Sequence, residues 1–178
     1  DEGAGMHALS ETERELVGPL KARCPIDILA NGVFAEEFAD LPPVGRFRSE
    51  HPELGEDPFI FFLSRLHSRK GVDILGEAFI GLAAMHKTVR LVVAGPDEGS
   101  RLPLEARIAE AGVQDRVHLL GPIYGPSKLA GLRDAACFCL PSREEGFSIA
   151  VLEALACGTP CVLSEQCNFP EVARAGAG

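Results

Sequence analysis

Two glutamates stand out for their setting. Glu145 lies in the loop Pro141-Ser142-Arg143-Glu144-Glu145-Gly146-Phe147-Ser148, directly before a helical run, and Glu153 sits inside that run. A helix start leaves its first N–H groups without partners in the chain, and its dipole favours an anion there. Glu153 is roughly five residues into the helix, or about 8 Å along the axis at ~1.5 Å per residue. Amides flanked by two carboxylates at that spacing suit an elongated ligand with an anionic middle and hydroxylated ends. A sugar–diphosphate–ribose has that form, because carboxylates accept hydrogen bonds from neighbouring hydroxyls and an amide nest takes phosphate. The plainer alternative makes Glu145 a helix-dipole partner and Glu153 a solvated helix residue. Against it, Glu153 stands among Ala150, Val151, Leu152, Ala154 and Leu155. Burying a carboxylate there without a partner is costly. The residues favour the ligand.

A second loop adds cations. Ser64-Arg65-Leu66-His67-Ser68-Arg69-Lys70-Gly71 carries three Arg and Lys residues before a helix start. That placement suits a diphosphate, with solvated loop charge as the alternative. The chain around it is acidic. It holds 26 Asp and Glu against 17 Lys and Arg, for a net charge of −9. Such a balance argues against binding nucleic acid or an anionic membrane through bulk charge. The excess is uneven, since residues 1–58 hold 13 acids and 5 bases while residues 59–178 hold 13 and 12. A local basic site in the second part is therefore compatible with the whole.

Other chemistries find little support. No G-x-G-x-x-G follows a strand, which counts against a dinucleotide dehydrogenase. Gly121-Pro122-Ile123-Tyr124-Gly125-Pro126-Ser127-Lys128 superficially resembles a phosphate-binding loop of ATPases. It lacks the Gly-Lys pair, and its prolines remove backbone donors. The six cysteines include no C-x-x-C pair and stand apart from the five histidines. We read them as packing thiols in a reducing cytoplasm rather than zinc ligands or disulfides. No apolar run approaches the ~20 residues of a membrane helix, and no signal peptide is visible.

The elements that must position these loops follow from the apolar rhythm. Ser10, with Glu13 three positions on, caps a first helix. Residues 26–30 read as a short strand stopped by Asn31-Gly32, and residues 38–58, rich in Pro and Glu, as a connecting segment with little periodicity. From Phe59 strands and helices alternate. Strands are expected at 59–63, 89–94, 117–120, 136–140 and 161–163. Helices are expected at 71–87, 102–111, 127–134 and 149–156, with a last one starting near Pro170. Strands apolar throughout and alternating with helices predict an α/β fold, a doubly wound parallel sheet covered on both faces. Ligands of such sheets bind beyond the carboxyl ends of the strands, where both charged loops fall.

Taken together, the motifs resemble those of a known family. Glu145-Gly146-Phe147-Ser148 through Glu153-Ala154-Leu155-Ala156-Cys157-Gly158-Thr159-Pro160 is similar to the E-x7-E motif of group 1 (family 4) glycosyltransferases. Further matches follow in order. Asn31-Gly32-Val33 with Phe38 resembles the family's P-N-G-V-D…F connector, with Ala30 in place of proline and Phe34 in place of aspartate. Ser64-Arg65-Leu66…Lys70-Gly71 resembles its G-R-L…K-G segment. Val92-Val93-Ala94-Gly95-Pro96-Asp97-Glu98-Gly99, Val117-His118-Leu119-Leu120-Gly121 and Leu140-Pro141-Ser142 fit as well.

The resemblance implies the GT-B architecture, in which two Rossmann-like domains face each other across a cleft, and this chain would be a truncated form of the C-terminal half. Residues 1–25 would be the tail of an acceptor domain, 26–58 the interdomain connector, and 59–178 the donor-binding domain, incomplete at its end. The implied reaction is the retaining, metal-independent transfer of a hexose from a UDP- or GDP-sugar to a saccharide or lipid-linked acceptor, in polysaccharide biosynthesis. Arg65 and Lys70 would bind the donor diphosphate and steady the leaving nucleotide. Glu145 would contact the transferred sugar, with the amides of Gly146, Phe147 and Ser148 near phosphate and sugar. Glu153 would take the ribose hydroxyls, and Gly121 and Tyr124 would lie by the base. No cofactor, metal or nucleic-acid partner is implied. The location would be cytoplasmic, with the missing N-terminal domain as a route to the inner membrane surface. The competing readings are a non-catalytic sugar-nucleotide-binding module and a related epimerase or phosphorylase. The intact Arg65, Lys70, Glu145 and Glu153 set weighs against loss of activity.

Overall fold

The structure, a computed structural model, describes residues 5–20 and 24–178. Near its start β1 (Met6–Ala8) leads into α1 (Glu11–Val17). The Ser10 hydroxyl accepts from the Glu13 N–H at 3.1 Å, and the Glu13 carboxylate accepts from the Leu9 N–H at 2.5 Å. This is the expected reciprocal cap, with its return bond moved back one residue. Strand β2 (Ile26–Ile28) pairs in parallel with β1, a partner that the sequence pattern did not suggest.

The segment read as an aperiodic connector contains α2 (Arg46–Glu50), followed by a 3-10 turn at Pro52–Leu54. Phe47 and Leu54 are fully buried in the same core as the strands that follow. What makes α2 possible lies far along the chain. The Asp134 carboxylate accepts from the N–H groups of Gly45 at 2.6 Å, Phe47 at 2.9 Å and Arg48 at 3.3 Å. It thus supplies the cap that Gly45 cannot.

From Phe59 the expected alternation is present. The elements are β3 (Phe59–Leu63), α3 (Val72–Met85), β4 (Arg90–Ala94), α4 (Arg101–Glu110), β5 (Val117–Gly121), α5 (Gly125–Asp134), β6 (Cys137–Leu140), α6 (Ile149–Ala156), β7 (Cys161–Leu163) and α7 (Pro170–Arg174). All five strands run parallel in the order β5-β4-β3-β6-β7. Phe59, Phe61 and Phe62 on β3, Leu91, Val92 and Val93 on β4, and Phe138 and Leu140 on β6 are buried. Their apolar runs reflect cover on both faces of the sheet. Helix α3 buries Val72, Leu75, Phe79 and Ala83, one stripe at helical spacing.

The strand order fixes where a ligand can sit. The chain steps outward from β3 to β4 and β5, then returns to lay β6 against the other side of β3. The loops leaving β3 and β6 therefore part in opposite directions, opening a crevice at their carboxyl ends. Those are the two charged loops.

Candidate functional site

The crevice is held by close backbone crossings. Gly71 has φ 68, and a Cβ on it would lie 1.9 Å from the Pro141 carbonyl oxygen. Gly95 has φ 146, and a Cβ there would lie 1.8 Å from the Ser64 carbonyl oxygen. Only glycine lets the β3 and β6 loops, and the β3 and β4 loops, approach that closely. Polar ties complete the junction. The Arg143 N–H donates to the Arg69 carbonyl at 2.7 Å, and the Arg143 guanidinium donates to the Ser68 carbonyl at 2.8 Å. The same guanidinium meets both oxygens of Asp73, at 2.7 and 2.6 Å. This fork holds the Asp73 carboxyl below its ordinary value, chiefly by hydrogen bonding.

Between these loops lies a cavity of about 380 Å³, lined by Arg65, Lys70, Tyr124, Lys128, Glu145, Phe147, Ser148 and Glu153 among others. Seven of the nine residues singled out from sequence line it. Gly121 and Gly146 do not, although their neighbours Pro122, Glu145 and Phe147 do.

Glu145 is nearly enclosed, its side chain 8% exposed. Its Oε1 accepts from Lys70 Nζ at 2.6 Å and from the Ser142 hydroxyl at 2.9 Å. Its main-chain carbonyl accepts from Asn168 Nδ2 at 2.8 Å. Asn168 is the one non-glycine residue with left-handed backbone among the described residues, at φ 54. The Ser164 hydroxyl donates to the Ser142 carbonyl at 2.5 Å. Ser142, Ser164 and Asn168 thus fix the orientation of Glu145. The sequence had named none of them as site residues.

Glu153 has the partner that its apolar surroundings demanded. Lys128 Nζ, from the first turn of α5, lies 2.5 Å from Glu153 Oε1, with the two side chains 23% and 12% exposed. The solvated-helix alternative for Glu153 is therefore wrong, and so is the picture of a carboxylate without a partner. The cavity thus holds two Lys–Glu pairs, and in each Oε2 of the glutamate meets no hydrogen-bond partner among the described residues. Between the glutamates Ser148 precedes α6 without a side-chain cap, and no acceptor meets the N–H groups of Gly146, Phe147 or Ser148 among the described residues.

Arg65 and Tyr124 stand at the rim. The Arg65 side chain is 56% exposed and meets Glu98 at 3.0 Å instead of either site glutamate. Tyr124 is exposed and directly precedes α5. Gly121 ends β5 with φ 74, its carbonyl accepting from the Gly95 N–H at 2.9 Å. Among the described residues no group of three or more His, Cys, Asp or Glu side chains is placed to hold a metal ion. Burial pushes the thiols of Cys139 and Cys157 up to about 12 and about 11, so they are poor nucleophiles. No helix is long and apolar enough to cross a membrane among the described residues.

A family model described as "Glycosyl transferases group 1" matches residues 44–178. The chain is 30% identical over 150 residues to the phosphatidyl-myo-inositol mannosyltransferase of Mycobacterium leprae, covering 83% of this chain and 37% of that protein. It is 36% identical over 145 residues to the D-inositol 3-phosphate glycosyltransferase of Segniliparus rotundus, covering 73% of this chain and 32% of that protein. The chain thus spans about a third of the length of these relatives. Among solved structures, Alr3699/HepE from Anabaena in complex with UDP and glucose matches with a TM-score of 0.82 at 21% identity. That match covers 93% of this chain and 46% of the other.

Proposed function

This chain belongs to the group 1 glycosyl transferases, and from that premise we propose that it is the donor-binding part of a retaining enzyme. The enzyme would move a hexose from a UDP- or GDP-sugar to a saccharide or lipid-linked acceptor in polysaccharide biosynthesis. Residues 59–178 bind the donor, residues 26–58 connect, and residues 1–25 are the tail of an acceptor-binding domain. The far end of the connector, through Phe47 and Leu54, shares the donor domain's core. The location is cytoplasmic, with contact to the membrane surface made through the acceptor-binding domain.

One observation carries the reading. In the crevice a single cavity gathers Lys70 and Glu145 at one place, Lys128 and Glu153 at another, and the start of α6 between the glutamates. The free Oε2 of Glu153 accepts from ribose hydroxyls, and that of Glu145 from hydroxyls of the sugar. The diphosphate lies across the N–H groups of Gly146, Phe147 and Ser148, beside Lys70. Arg65 turns from Glu98 to the outer phosphate oxygens. Gly121 and Tyr124 flank the base. The Anabaena neighbour, with UDP and glucose bound, supports a nucleotide-sugar donor.

The chemistry follows from these places. As the bond from the anomeric carbon to the phosphate oxygen breaks, positive charge grows on the sugar and negative charge on the diphosphate. Lys70, Arg65 and the amides face the growing negative charge, and stabilising it lowers the barrier. Glu145 holds the sugar in register and faces its positive charge.

Calorimetry with UDP and GDP in EDTA tests the donor site. Binding of one of them, weakened by added salt, is expected because the cations meet phosphate in a partly open crevice. Transfer of radiolabelled hexose by the enzyme separates an active transferase from a module that only binds. A strict requirement for Mg²⁺, or binding of neither nucleotide, contradicts the reading.

A further inference from the structure

Lys128 was not expected in the site, yet its side chain is largely buried there, 23% exposed. It comes from α5, whereas Glu153 comes from α6, and the two side chains meet at 2.5 Å. Other charged and titratable groups lie near Glu153. Lys70 is taken by Glu145 at 2.6 Å, and Arg133 by the carbonyls of Leu41 and Pro42 at 3.1 and 2.6 Å. Cys157 donates weakly to the Leu129 carbonyl at 3.9 Å, and Tyr124 is exposed. Lys128 is therefore the cation that compensates Glu153. Its stem also forms a wall, because Lys128 lines both the site and a second cavity of about 690 Å³ beyond it.

We infer that Lys128 is a positioning residue that makes the donor site selective for ribonucleotides over 2′-deoxyribonucleotides. This rests on the reading that Glu153 takes the ribose. Lys128 occupies Oε1 of Glu153 and so presents Oε2 to the ribose hydroxyls. It also compensates the carboxylate's charge inside an apolar helix junction, where burying a charge without a partner is costly. A hydrogen bond to a charged group is worth tenfold or more in affinity at roughly 1.4 kcal/mol per decade, so the 2′-hydroxyl can be read in binding alone.

The test uses the full chain and four ligands, UDP, GDP and their 2′-deoxy counterparts. The wild type should prefer the ribonucleotide by about tenfold or more. Lys128→Met keeps the stem that separates the two cavities, and its preference should drop below about threefold. Lys128→Arg should keep the wild-type preference. In the double variant with Glu153→Gln, the Lys128 change should add nothing, since it acts through Glu153. If Lys128→Met alone fails to fold, Lys128→Gln carries the same expectations. A Lys128→Met variant that keeps the full preference, or a further loss from the Lys128 change in the double variant, overturns the inference. Loss of the preference in Glu153→Gln alone would then leave the donor-site reading standing. Absence of nucleotide binding by the wild type would remove that reading itself.

Discussion

Each glutamate of the site is best tested by a change of one group. Glu145→Gln keeps the shape of the side chain and its contact with Ser142 but removes the charge facing Lys70. The intact sugar donor should then bind about tenfold more weakly, while the free nucleoside diphosphate changes little. Titrating the variant with both ligands checks this, and equal losses would take Glu145 out of the sugar site. Glu153→Gln should weaken every ribonucleotide by roughly 1.5–3 kcal/mol while the preference between UDP and GDP stays put. Normal binding with a much lower melting temperature would make Glu153 structural. The glutamates were legible in the sequence because their environments are local. One lies before a helix start, and the other is a lone acid on an apolar helix. Lys128 was not legible, since nothing within α5 distinguishes it from a solvated lysine. Its meaning comes from Glu153, on another helix. Ser142, Ser164 and Asn168 went unseen for the same reason.

At the scale of elements, the junction of loops should be the weak point. Gly71→Ala forces a side chain into left-handed backbone, costing about 1–2 kcal/mol, before its clash with the Pro141 carbonyl is counted. Nucleotide affinity should fall with stability, because Lys70 precedes Gly71 and Glu145 follows Pro141 on the facing loop. A variant that loses stability but binds nucleotides normally would uncouple the crossing from the site. Asp134→Ala should act differently. It removes the acceptor that starts α2 and should cost about 1–2 kcal/mol in urea unfolding. Nucleotide affinity should not change. Nearly every strand and helix from Phe59 onward could be placed from apolar rhythm alone, within a few residues. Helix α2 could not. It is short, sits between Pro43 and Pro52, offers only Phe47 to the core, and depends on a carboxylate from the end of α5. A helix stabilised from that far along the chain leaves little periodic signature.

For the whole molecule, acid is the condition that should load a half-buried histidine with charge. Nε2 of His118, on β5, is buried and meets no hydrogen-bond partner among the described residues. Burial, and then the nearby Arg90, lower its pKa below the ordinary value of 6.5, while Glu53 opposes them. The unfolded chain thus takes up the proton first, so this contribution is complete above about pH 6.5 and is lost as pH falls through the lowered value. Unfolding midpoints in urea should decline on acidification through that window, and His118→Leu should flatten the decline. An unchanged slope would place the acid sensitivity elsewhere. The direct measurement is the position of a bound nucleotide in a crystal structure of this chain with UDP or GDP. Ribose hydroxyls are expected on Glu153, diphosphate oxygens on Lys70 and the amides at the start of α6, and the base beside Tyr124. A nucleotide seated anywhere else, or touching neither Glu153 nor Lys70, would contradict this placement.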